Sequence, residues 1–102
     1  MNIYNYVNEE VDFLYIEESS LRNGVTALFS SMKGAGDKVS VELQERIKEW
    51  KRKYTDSRSP DRKDVLNNIG KMKAAALELI NKTKGSAQSQ ASSALTQFDK
   101  YK

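Results

Sequence analysis

The chain has 102 residues, 38% apolar and 30% charged, with seventeen Lys and Arg against fourteen Asp and Glu for a net charge of +3. That is enough for one domain with a modest core at the polar end of the globular range. With no cysteine and no histidine, disulfides, thiol nucleophiles, zinc sites of the usual ligand types and His-based acid/base chemistry are all excluded.

The first predicted helix spans about residues 3–32. Tyr4, Val7, Val11, Leu14, Glu18, Leu21, Val25, Leu28 and Met32 recur at alternating spacings of three and four, the signature of a coiled-coil-like seam. Phe13, Ile16 and Phe29 widen it. One of the nine positions is a glutamate. A bend at Ser19-Ser20 would bring Glu18 to a helix end, because serines compete for backbone hydrogen bonds. An unbroken helix would leave it on an exposed rim, or bury it opposite Arg46, Lys48, Lys71 or Lys73 as a register-setting contact. Thirty residues of helix span about 45 Å, so an unbroken first helix implies an elongated molecule. Gly24 and Gly70 read as surface positions that tolerate glycine, with a close backbone approach as the alternative.

"KGAGDK" marks the first break, with Gly34 and Gly36 as stop signals and Asp37 or Ser40 as the next cap. The second helix covers about residues 40–54 and carries Leu43, Ile47, Trp50 and Tyr54 on one stripe. Its polar face is basic. Arg46, Lys48, Lys51, Arg52 and Lys53, with Arg58, Arg62 and Lys63 just beyond, interleave with aromatics in the manner of a nucleic-acid binder. The acids Glu45, Glu49, Asp56, Asp61 and Asp64 dilute that field, and Trp50 belongs to the apolar stripe. A membrane-surface role is weaker still, since the helix is short.

Ser59 as cap, Pro60 at the first helical position and Asp61 in the first turn open the third helix, about residues 60–84. Its stripe is Val65, Ile69, Met72, Ala76 and Leu79, widened by Leu66, Leu77 and Ile80, with Gly85 as its stop. Residues 86–101, rich in Ser, Gln and Ala, trace a thin helical face through Ala87, Ala91, Ala94 or Leu95, Phe98 and Tyr101. A mobile tail and a docked helix are both compatible with that face.

The fold class that follows is all-α: an elongated helical hairpin or bundle of three to four helices in a single domain. Charge divides along the chain. Residues 1–18 hold five acids (Glu9, Glu10, Asp12, Glu17, Glu18) and no base, and the remainder is basic. The apolar and aromatic N-terminal end exceeds what so small a bundle covers, which calls for a partner, with the fourth helix folding over it through Leu95, Phe98 and Tyr101 as the alternative.

In size and architecture the chain resembles small secretion-associated helical proteins, namely the W-x-G secreted hairpins and the needle, rod and chaperone subunits of bacterial export machines. The W-x-G turn itself is absent: the mid-chain turn reads "MKGAGDK", and Trp50 is followed by Lys51-Arg52. No residue is carried over from that resemblance.

The expected function is a non-catalytic protein–protein interaction or assembly subunit, of the secretion-associated, phage or accessory structural kind. Tyr4, Val7, Val11, Phe13, Leu14, Glu18, Leu21, Val25 and Leu28 form the expected contact face, toward another protein or further copies of the chain. A small nucleic-acid-binding protein using residues 46–63 is the alternative. No catalytic residue, metal ligand or cofactor motif presents itself. No secretory signal or membrane-spanning stretch is read from the sequence, so a soluble protein is expected, cytoplasmic or exported by a signal-less route.

Overall fold

The apolar repeat is carried by one unbroken helix, α1, Ile3–Ala35. The computed structural model describes residues 3–56 and 60–101, with side chains described for those from Ser19 onward. The backbone therefore does not break at Ser19-Ser20. Ser19 instead accepts a hydrogen bond from Asn23 one turn on, and Ser20 is buried. The side chain of Glu18 lies outside the described residues.

α1 runs through Gly34 and ends at Gly36, whose φ of 60° suits glycine. A short 3-10 turn, Gly36–Lys38, reverses the chain. Ser40 then caps α2, Val41–Tyr54, by accepting from the Leu43 backbone N–H at 3.2 Å. Leu43, Ile47, Trp50 and Tyr54 are its buried positions, so Trp50 belongs to the core.

α3, Arg62–Lys82, starts later than the Ser-Pro-Asp signal suggests. Asp61 is itself the cap, in extended conformation, with its carboxylate accepting from the Lys63 N–H at 3.0 Å. Ser59 lies outside the described residues. The helix also ends two residues early: Thr83 turns its hydroxyl back to the Leu79 carbonyl, and Thr83 and Lys84 are extended. Gly85, at φ 65°, opens α4, Gly85–Lys100, rather than closing α3.

The four helices run up, down, up and down. α4 is the central packing element: it lies antiparallel along α1, with Ala87 beside Ser31 and Gly34 and Phe98 beside Gly24, and its other flank packs on α3. The thin face noted in the sequence is the reason for this closeness. Ala91 and Ala94 are fully buried and let the α1 and α4 backbones approach. Ser31 Oγ donates to the Ala87 carbonyl at 2.7 Å. A side chain larger than glycine at position 24 would strike the Phe98 ring, since a Cβ there falls 2.7 Å from Phe98 Cε1. Gly24 is thus a contact position and not a tolerant surface site, whereas Gly70 faces open space.

One contiguous core results, built from Leu21, Val25, Leu28 and Met32 of α1, the α2 stripe, Val65, Met72, Ala76 and Leu79 of α3, and Phe98 of α4. The principal extents of 55 × 24 × 19 Å and a radius of gyration of 15.0 Å describe an elongated body, against about 13 Å for a compact chain of this length. Among the described residues every regular element is helical.

Candidate functional site

Three residues of the expected contact face have described side chains. Leu21, Val25 and Leu28 are all but inaccessible, packed into the core of their own chain. α4 meets them because its 16 residues cover the C-terminal half of the 33-residue α1, from Ala87 at Gly34 to Phe98 at Gly24. The side chains of Tyr4, Val7, Val11, Phe13, Leu14 and Glu18, the other half of that face, lie outside the described residues.

Each of the five bases of α2 stands within 4 Å of an acid, three of them on α2 itself and two beyond it. Arg46 pairs with Glu42 at 3.2 Å, Lys48 with Glu45 at 3.8 Å, Lys51 with Asp56 at 3.9 Å and Arg52 with Glu49 at 3.3 Å. Lys53 reaches Asp64 on α3 at 3.7 Å. Arg62 stacks its guanidinium over Tyr101, 5.6 Å from the ring centroid, Lys63 is exposed, and Arg58 lies outside the described residues. Exposed i,i+3 and i,i+4 pairs contribute little stability, about 0.3–0.5 kcal/mol each, but they lower the local positive field. Of the bases considered as partners for Glu18, Arg46 and Lys48 pair on α2 and Lys73 pairs with Asp99 of α4 at 3.4 Å. Lys71 borders a shallow space between α2 and α3 with Leu43, Ala74 and Glu78.

Between α1 and α2 lies an open groove of about 320 Å³. Phe29 and Met32 supply its apolar floor, Lys33 and Lys48 its positive flanks, and Asp37 and Gln44 its polar end. Phe29 is half-buried, and two ammonium groups share its ring: Lys33 at 5.1 Å and Lys51 at 5.2 Å from the centroid. Each contributes a cation–π attraction of about 0.5–1 kcal/mol at such exposure. Gln44 is held by donating to the Val39 carbonyl at 2.9 Å, which fixes one wall. This groove was hidden in the sequence because its residues come from two stripes read separately.

α2 and α3 join through polar chemistry instead of close backbones. The buried Tyr54 hydroxyl donates to Asp64 Oδ2 at 2.7 Å and accepts from Asn68 Nδ2 at 3.1 Å. Asn68 also donates to the Asp64 carbonyl at 2.9 Å. Burial first, and then the hydrogen bond to Asp64 and its charge, push the Tyr54 hydroxyl pKa far above the usual phenol range. Such a hydroxyl stays protonated and serves as a structural donor.

The outer face of α3 is more apolar than its solvent exposure warrants. Leu66 and Leu77, expected from the sequence to widen the core stripe, stand 46% and 49% exposed. The α3 core stripe runs through Val65, Met72 and Leu79, and at 100° per residue both leucines fall well round the helix from it.

Among the described residues no group of His, Cys, Asp or Glu is arranged to hold a metal ion, and no helix is long and apolar enough to cross a membrane. No family model, curated protein or solved structure matches the chain.

Proposed function

We propose that the chain is a non-catalytic assembly subunit that binds another protein, or further copies of itself, by helix-face packing of a coiled-coil-like α1. The observation that carries this reading is a mismatch of length. α1 is 33 residues long, whereas α4, the helix packed most extensively along it, has 16, with lesser contacts from α2 and α3. The seam spacing continues unchanged through Leu14, Val11, Val7 and Tyr4 on the same helix. α4 passes Gly24 at Phe98 and ends two residues later, at Lys100. Leu14 to Tyr4 lie about 15–30 Å up the helix from Gly24. α4 therefore falls short of most of this stretch, and an apolar helix face of that length is what a partner helix buries.

Light scattering after size exclusion, over a range of concentrations, tests the reading on the natural chain and on the triple variant Val7→Ser, Val11→Ser, Leu14→Ser. The natural chain is expected to associate and the variant to stay monomeric with an unaltered melting temperature. A natural chain that is monomeric throughout, with a variant that melts much earlier, would mean the face is closed within one chain and would overturn the proposal. A monomer whose melting the variant leaves unchanged points to a different protein as the partner. The nucleic-acid alternative has no specific observation in its favour, because the bases of α2 stand beside acids of their own chain.

A further inference from the structure

The groove between α1 and α2 brings two like charges to one aromatic ring. The ammonium groups of Lys33 and Lys51 lie 5.1 and 5.2 Å from the Phe29 centroid, and Lys48 lines the same opening. Lys48 and Lys51 have carboxylate neighbours at 3.8 and 3.9 Å, near the limit of an ion pair and exposed to solvent. For Lys33 the contact among the described residues is the ring itself. An apolar floor, two lining lysines with Lys51 over the same Phe29 ring, and one lining acid, Asp37, fit a ligand that presents an apolar or aromatic side chain together with carboxylates. Such a ligand fills the space and relieves the repulsion between the ammonium groups.

The chain contains a segment of that chemistry. Residues 3–18 carry Tyr4, Tyr6, Phe13 and Tyr15 together with Glu9, Glu10, Asp12, Glu17 and Glu18, and no base. The continuity of α1 decides how the two can meet. Asp12 and Lys33 belong to one unbroken helix and stand about 30 Å apart along it. A helix cannot fold onto itself over that distance without breaking, so the acidic segment of one molecule is held away from the groove of the same molecule.

We infer that the groove lined by Phe29, Lys33 and Lys48 takes the acidic, aromatic segment 3–18 of a second copy of the chain. This rests on the self-association branch of the proposed function and gives it a receptor. The two complementary surfaces sit toward opposite ends of α1, so the contact is of head with tail, and it propagates or closes into a ring according to the rotation between neighbours. Such a contact weakens with salt, because exposed charges are screened beyond about 10 Å at 0.1 M ionic strength.

A charge-exchange experiment on the full-length chain tests it. One variant reverses the groove (Lys33→Glu, Lys48→Glu) and another reverses the segment (Glu9→Lys, Glu10→Lys, Asp12→Lys), with circular dichroism to check that each is folded. Both altered groove lysines are solvent-exposed, so the fold does not depend on them. Each variant alone is expected to lose self-association by at least about tenfold in dissociation constant, and an equimolar mixture is expected to recover it. Recovery requires that segment and groove meet each other.

If both variants associate as the natural chain does, the groove assignment is wrong while the assembly reading stands. The same holds if each loses association and the mixture fails to regain it. If the natural chain never associates, this inference and the self-association branch fall together. Nucleic acid retained by the natural chain and released by the groove variant, with self-association untouched, would reassign the groove to phosphate binding and overturn the inference.

Discussion

Two glycines on two helices carry opposite predictions. At Gly24 an added methyl lies 2.7 and 2.8 Å from the edge of the fully buried Phe98 ring and 3.2 Å from Gln97 Cβ. The ring is enclosed, so the clash is relieved by moving α4 away from α1. Gly24→Ala is expected to destabilise by about 1–3 kcal/mol, outweighing the gain of about 1 kcal/mol in helix propensity. At Gly70 nothing lies within 4 Å, and Gly70→Ala is expected to stabilise by about 0.5–1 kcal/mol. Denaturant titration of the two variants reads both signs. From sequence the two glycines look alike, each one position beside a seam residue. The difference comes from Phe98, more than seventy residues from Gly24, and no local pattern encodes it. Tyr54 carries a third prediction. Its hydroxyl bridges Asp64 and Asn68, and Tyr54→Phe should cost about 1.5–3 kcal/mol at neutral pH, the range for a hydrogen bond to a charged group. The folded-state pKa of Tyr54 is raised, so its contribution is complete below the unfolded phenol value of about 10. It is lost progressively as pH climbs from there toward the folded value. The natural chain should therefore lose stability relative to Tyr54→Phe above about pH 10, read as the difference between their melting temperatures.

At the scale of the helices, periodicity made most of the architecture legible. The stripes on α2 and α3, and that on α1 from Leu21 onward, pack into the core, because a 3.6-residue period and a single core leave little choice of face. α4 was less legible. A stripe of alanines is weak evidence of burial when the test is apolar bulk, yet Ala91 and Ala94 are fully enclosed because they are small. Leu66 and Leu77 erred the other way: two large apolar residues suggest core, and they face solvent. The polar α2–α3 junction and the groove at Phe29 were illegible for a common reason, since each joins residues of two elements whose relative position only tertiary packing fixes. Close α1–α4 packing yields a prediction of its own. Ala94→Leu inserts three heavy atoms where the chain has none to spare and is expected to destabilise by about 1–3 kcal/mol. Ser93→Leu, at the exposed neighbouring position, should stay within about 0.5 kcal/mol of the natural chain. Thermal unfolding of the pair distinguishes tight packing from a loosely attached helix, for which both substitutions would be nearly neutral.

At the scale of the whole molecule, the described core and the acidic segment are separable in composition. Among the residues whose side chains are described, the core runs from Leu21 to Tyr101. α4 packs along α1 from Ala87 at Gly34 to Phe98 at Gly24, so this close contact lies in the C-terminal half of α1. Residues 1–18 add five negative charges and much of the chain's aromatic content, and they leave behind a body of seventeen bases and nine acids. If this segment serves association, a chain lacking residues 1–18 should keep a cooperative thermal transition. Its midpoint should fall within about 4 °C of the natural chain's under conditions where both are monomeric, a change below about 1 kcal/mol. In light scattering it should no longer associate, and its more strongly positive body should repel itself most at low salt. A truncated chain that melts far earlier, or without cooperativity, would show instead that residues 1–18 are part of one folding unit with the rest. The surplus of apolar surface on which the assembly reading depends would then be surplus no longer.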